Sequence, residues 1–206
     1  MNCACFRKTL DQALLNQDPL VLEKQKARYS LSYIIKCIAY QRKRLLHPVS
    51  SGIYECNSKC SCHRQHCSNR LVQHGLFVQL QLFKDKNKGW GLRTLHDLPR
   101  GTFICQYVGE LITSDQGHER AQTMDDRYQT SLDLVKQIHY DNDIDDDDDD
   151  EPYVIDGSLF GNVGKYFNHS CDPNMYIQNV FIETHDLHFP NLALFTHTRV
   201  KAGEGK

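Results

Sequence analysis

"KYFNHSCDPN", Lys165 to Asn174, places Asn168, His169, Ser170, Cys171, Asp172 and Asn174 in one short run. Phe160 and Phe167 come before the polar side chains, and the strand-like "MYIQNVFI" follows. Polar density of this kind fits three readings: a polar turn, a metal corner built on Cys171, or the floor of a catalytic pocket.

Working outward, the flanking segments read as short strands. In "LFVQLQLF" (Leu76 to Phe83), Leu76, Val78, Leu80 and Leu82 alternate, the period of a half-buried strand. "RGTFICQYVGELI" (Arg100 to Ile112) predicts a second strand region, with Pro99 and Gly101 at its start. Ser114 to Met124 reads as a short helix or irregular chain. "YVIDG", "MYIQNVFIE" and "NLALFTHTRV" add three strand candidates. Many short strands around turns predict a mostly β domain. Before it, Leu10 to about Leu46 predicts helix, since Leu31, Ile34, Ile35 and Ile38 recur at helical spacing. Pro48 to Gly52 ends that pattern.

Charge is unevenly placed. The 206 residues carry a formal net charge of −2, but "DNDIDDDDDDE" (Asp141 to Glu151) holds nine of the 26 acidic residues. Outside it, 24 basic residues face 17 acidic ones, a mildly basic body that suits an acidic or nucleic-acid-bearing partner. The run itself predicts disorder. At 40% hydrophobic, the chain has material for a core. No stretch of about 18 apolar residues appears, so no membrane-spanning helix is expected. "MNCACFRKTL" offers no apolar signal core, which points to a soluble intracellular protein.

The cysteines cluster. "CNSKCSCHRQHC" gives C-x3-C-x-C-x4-C through Cys56, Cys60, Cys62 and Cys67, and Cys3 and Cys5 form a second C-x-C. Zinc takes four thiolate or imidazole ligands in a tetrahedron. Pairs this close suit thiolates that bridge neighbouring zinc ions. Metal would then replace the apolar core that this segment lacks. His63 and His66 read as surface residues, and Cys37 and Cys105 as core. In "NKGWGLRTL", Gly89 and Gly91 flank the only Trp, a turn where a ligand can meet the backbone.

Taken in order, "KGWG", "GTFICQYVGE" and "GNVGKYFNHSCDPN" resemble a SET domain, and the cysteines before them resemble its pre-SET zinc module. "YECNSKCSC", "NRLVQHGLFVQLQLFK" and "NVFIETHDLHFP" are similar to the SETDB (SET domain bifurcated, ESET or eggless) family. The resemblance implies a SET β-fold preceded by a helical stretch and a cysteine-rich pre-SET zinc module. Residues 1–70 would be a partial pre-SET module with a helical insert at about 10–46. Residues 71–206 would be a SET domain lacking its C-terminal end, interrupted by an acidic disordered insertion at about 137–152.

The function it implies is transfer of methyl groups from S-adenosylmethionine to lysine 9 of histone H3 in chromatin silencing. The histone H3 tail in the nucleosome would be the substrate, chromatin-silencing proteins the partners, and the nucleus and chromosome the location. No membrane contact and no sequence-specific DNA binding are expected. Lys88, Gly89 and Trp90 would meet the cofactor through their backbone, and Asp126, Tyr128, Lys165, Asn168 and His169 would contact it. Lys165 stands where the family usually has Arg, keeping charge but losing the planar fork. Tyr107 would wall the lysine channel, joining Asn168 and His169 at the catalytic centre. Cys3, Cys5, Cys56, Cys60, Cys62 and Cys67 match pre-SET zinc ligands, six of the family's nine. Cys171 matches a ligand that shares zinc with post-SET cysteines. The family's Tyr-bearing segment after "AGE" and its post-SET cysteines have no counterpart here. This polypeptide is therefore expected to be weakly active or inactive, and the alternative reading is a SET-fold chromatin-binding module with impaired catalysis.

Overall fold

The computed structural model describes residues 5, 8, 39–86, 89–123, 126–135 and 151–205. Among the described residues, four small sheets carry the architecture. The chain enters through a hairpin of β1 (Tyr40–Gln41) and β2 (Arg44–Leu45), then β3 (Ile53–Tyr54). β4 (Leu80–Asp85) and β5 (Gly89–Thr94) pair antiparallel, with Leu80 opposite Thr94 and Asp85 opposite Gly89. β6 (Phe103–Tyr107) and β7 (Glu110–Ile112) follow, then the helix α1 (Ser114–Thr123) and β8 (Gln129–Ser131). β9 (Val154–Asp156), β10 (Met175–Phe181) and β11 (Asn191–Thr196) complete the order.

The central sheet runs β3-β10-β11-β6. β10 and β11 are antiparallel, with Tyr176 opposite Phe195, whereas β3 joins β10 in parallel. β11 explains its own composition. It lies between β10 and β6, so "LALFT" is buried throughout and reads as an apolar run rather than an alternation. Its Phe195 and Ala193, both fully buried, meet Phe103, Val180, Ile53, Tyr40 and Leu45 in the main core. A second cluster of Ile104, Cys105, Leu194, Leu98 and Val200 lies beside it, with Tyr107, Phe167 and Met175 packed on its edge. Burial pushes the Cys105 thiol up to about 12, so it behaves as a small apolar residue, as its mid-strand position predicts.

Three expectations shift. The end of the expected helical stretch is the β1–β2 hairpin, because Tyr40 and Leu45 find long-range partners in Phe195 and Phe103 that helical spacing does not encode. Residues 10–38 of that stretch, with Cys37, lie outside the described residues, as do Cys3, Lys88 and the acidic run up to Asp150. The strand expected at Leu76–Phe83 begins only at Leu80, since Leu76 and Phe77 are exposed beyond Gly75, which adopts φ +83°. "GWG" is the start of β5 rather than a turn, and Trp90 is half exposed, with the Lys84 ammonium 5.8 Å above its ring. Among the described residues, no helix is long and apolar enough to cross a membrane.

Candidate active site and metal centre

The polar run is placed by its own N-terminal end. Asn162 caps a 3-10 turn at Val163–Tyr166, its side chain accepting from the Gly164 amide at 3.0 Å and donating to the Gln106 carbonyl at 2.7 Å. A Cβ on Gly164 would sit 2.9 Å from Asn162 Oδ1 and 3.2 Å from the Gln106 carbonyl. Only glycine lets the turn lie this close to β6. The chain then leaves extended at Phe167 and carries Asn168 to β5, where its Nδ2 donates to the Trp90 carbonyl at 3.4 Å. A Cβ on Gly91 would stand 3.1 Å from that same Nδ2. Two motifs 78 residues apart thus share one contact.

Beside this contact opens a cavity of about 520 Å3. Tyr107, Lys165, Asn168 and His169 line it, together with Phe167 and Tyr176. The Tyr107 hydroxyl donates to the Tyr128 carbonyl at 2.6 Å, and burial raises its pKa. Lys165 Nζ lies 3.4 Å from the carbonyls of Gly157 and Ser158 and over the rings of Tyr128 and Tyr166. Burial pushes the Tyr176 phenol up to about 12.

Of the residues singled out in the sequence, Tyr107, Lys165, Asn168 and His169 share the cavity wall, and Trp90 and Tyr128 are one hydrogen bond behind it. Gly89 and Asp126 are not in the wall; Asp126 is exposed in the 3-10 turn Asp126–Tyr128. Arg127, Thr130, Met175 and Tyr176 line the cavity without having been singled out. For Met175 and Tyr176 the signal was present: a strand that starts directly after the polar run must put its first side chains beside it.

The cysteines gather elsewhere. The sulfurs of Cys56, Cys62 and Cys67 all lie within 4.8 Å of one another, with Cys56 and Cys67 3.6 Å apart. Two thiolates on one zinc, each about 2.3 Å from the metal, stand roughly 3.8 Å apart. The trio therefore fits zinc. Cys5 and Cys60 form a neighbouring pair at 3.3 Å. Cys171 is exposed on the far side of the polar run and joins no such trio among the described residues.

Two buried charged side chains that the sequence reading missed support the cysteine loop. Arg70, 5% exposed, donates to Cys62 Sγ at 3.4 Å and to the Asn57 carbonyl at 2.6 Å. Burial pushes the Cys62 thiol up, but the Arg70 guanidinium and the neighbouring cysteines outweigh it and hold the thiol below its usual range. Glu55, fully buried, accepts from the backbone amides of Leu71 and Val72 at 2.8 and 2.7 Å and from the Gln73 side chain at 2.9 Å. This ties the cysteine loop to the segment that leads into β4.

Fold and site together define a β-built protein with a cavity beside the polar run and a separate cysteine cluster. A family model described as the SET domain matches residues 89–205. The chain belongs to the SET-domain family. Among curated relatives it is similar to the histone-lysine N-methyltransferase eggless of Drosophila melanogaster, 32% identical over 252 residues, covering 82% of this chain and 20% of that protein. It is also similar to the histone-lysine N-methyltransferase Su(var)3-9 of the same species, 46% identical over 169 residues, covering 81% and 25%. The chain thus spans only a fifth to a quarter of the length of these relatives. Among solved structures, the Neurospora SET domain protein DIM-5, a histone lysine methyltransferase, superposes with a TM-score of 0.70 at 32% identity, covering 81% of this chain and 68% of that one. Arabidopsis thaliana SUVH6 in complex with SAM gives 0.68 at 31%, covering 82% and 35%.

Proposed function

We propose that this chain carries the catalytic unit of a nuclear histone-lysine methyltransferase, which transfers a methyl group from S-adenosylmethionine to lysine 9 of histone H3 and acts on the chromosome with chromatin-silencing partners. The observation that carries this reading is the Asn168–Trp90 contact at the edge of the cavity. It joins the two motifs that the family resemblance assigns to the cofactor. The relatives' names, each a histone-lysine methyltransferase, support the same class.

The cavity suits the cofactor. Its volume falls within the range of about 300–1,000 Å3 usual for ligand pockets. Its wall combines an amide, an imidazole and an ammonium with the faces of Phe167 and Tyr176. When bound, S-adenosylmethionine supplies a methyl group already activated on a sulfonium. What remains for the protein is alignment and control of one proton, because only the neutral lysine amine is a nucleophile.

Asn168 spends its Nδ2 on Trp90, which leaves Oδ1 to accept from a ligand. The raised pKa of Tyr107 keeps its phenol protonated at neutral pH, with the proton committed to the Tyr128 carbonyl. Its oxygen therefore offers lone pairs without negative charge, and a neutral acceptor orients an amine without favouring the ammonium. Phe167, Met175 and Tyr176 keep water from the wall, which also disfavours the charged amine. Lys165 holds the Gly157–Ser158 turn in place through its two carbonyl contacts. In the cysteine module, Cys56, Cys62 and Cys67 would hold zinc, with Cys5 and Cys60 as further ligands of a cluster.

The test is methyl transfer with the zinc-loaded chain in excess over peptide. Label from S-adenosylmethionine is expected to enter a histone H3 tail peptide and not the same peptide carrying arginine at position 9. Equal labelling of both would remove the site assignment. Cofactor binding without any labelling would favour a binding module that has kept the fold.

A further inference from the structure

A second cavity, of about 470 Å3, opens between the β1–β2 hairpin and the cysteine module and shares no wall residue with the first. We propose that it binds the phosphate backbone of nucleic acid. Arg42, Lys43, Arg70, His66 and His74 line it together with Cys67 of the sulfur trio, and among the described residues no carboxylate does. Backbone phosphates are what such a cation-rich wall attracts, and arginine forks match their geometry.

Three further observations point the same way. Arg42 and Lys43 form the hairpin turn with φ of +51° and +58°. A two-residue turn of this kind strongly favours Asn-Gly, and each residue with a Cβ there costs about 1 kcal/mol. Placing two long cations at the tip departs from local preference, and such departures concentrate where a ligand is met. Arg70, although 5% exposed, keeps its Nε buried with no hydrogen-bond partner, while its other nitrogens are engaged. The guanidinium thus carries one N–H with no protein acceptor, in a residue that helps to line the cavity. Finally, Phe77 is 61% exposed on the wall, with the Lys43 ammonium 5.7 Å from its ring centre. An exposed ring beside a cation is a surface on which a base can stack, and this favours nucleic acid over an acidic polypeptide. The basic balance of the chain outside Asp141–Glu151 supplies long-range attraction of the same sign.

The test is fluorescence anisotropy with the zinc-loaded chain and a short labelled single-stranded DNA of arbitrary sequence, whose bases are free to stack, over a series of salt concentrations. The variant is Arg42→Gly with Lys43→Gly, which removes both charges while suiting the left-handed turn. Lys43→Asn, which also tolerates that turn, is the milder second variant. Wild-type binding should weaken steeply with salt. The double variant should bind at least about tenfold more weakly and lower the log–log salt slope by about 1.4, close to 0.7 for each lost phosphate contact on a single strand. Its melting midpoint and S-adenosylmethionine affinity should stay at wild-type values. The proposal is overturned if the wild type does not bind DNA, or if both variants bind as tightly as the wild type. It is also overturned if a peptide of the sequence "DNDIDDDDDDE" displaces the DNA at equal concentration, since the site would then be one for acidic polypeptide.

Discussion

The cysteine module and the cavity beside the polar run are stabilised by different chemistry. From Cys56 to Cys67 the chain buries almost no aliphatic side chain, and its order rests on sulfur, on Arg70 and on the Glu55 carboxylate. The cavity instead leans on sheet packing: its Tyr107, Phe167 and Met175 rest on Ile104, Cys105 and Leu194. One region has the sulfur set that fits a metal, the other rests on apolar burial, and each should fail under its own challenge.

The largest effect is expected from removing metal. Chelation, or Cys62→Ser with Cys67→Ser, should cost the module several kcal/mol, on the order of half or more of the roughly 10 kcal/mol or greater that structural zinc contributes. Hydrogen exchange should show lost protection at Cys56–His74 while β10 and β11 stay protected. Simultaneous collapse of both would erase the contrast.

Next comes Phe195→Ala. The ring is fully buried and packs on Phe103, Tyr40 and Tyr176. Its loss should cost about 3–5 kcal/mol in chemical denaturation. Zinc stoichiometry at temperatures below the new midpoint should not change.

A smaller effect belongs to Asp156, which closes the β7-β9-β8 sheet through Arg120. Arg120 NH1 lies 3.0 Å from Asp156 Oδ2 and 2.8 Å from Glu110 Oε2. Burial pushes the Asp156 carboxyl up, but hydrogen bonds from Ser158 and Arg120 outweigh it, so its folded pKa falls below the ordinary value of 3.8. The associated stability is therefore full above that ordinary value and is lost as pH falls through the lower folded value. Asp156→Asn should flatten the acid limb of the stability profile below about pH 4. An unchanged limb would show that the ion pair contributes nothing there.

The sequence reveals local matters more readily than long-range ones. The mostly β class followed from short runs such as "FICQY" and "MYIQNVF", each found as a strand. The resemblance of the ordered motifs to a SET domain named the family, and the eggless-type similarity appears again among the relatives. Tyr107, Lys165, Asn168 and His169 were legible because motif order marked them. The β1–β2 hairpin was not, since Tyr40 and Leu45 are fixed by Phe103 and Phe195, far along the chain. Nor were Glu55 and Arg70: in sequence they are ordinary charges, and only folding brings one to the amides at Leu71–Gln73 and the other to Cys62. Of the three readings of "KYFNHSCDPN", the pocket wall is the one these residues display, and Cys171 is exposed outside that wall.

The central claim is that the Asn168–Trp90 junction borders a cofactor site. Calorimetric titration of the zinc-loaded chain with S-adenosylmethionine tests it most directly. The expected result is one saturable site whose affinity falls about tenfold or more in Asn168→Ala, the loss of roughly one good hydrogen bond, with the melting midpoint of the free chain little changed. No binding by the wild type, or equal binding by the variant, would contradict the claim.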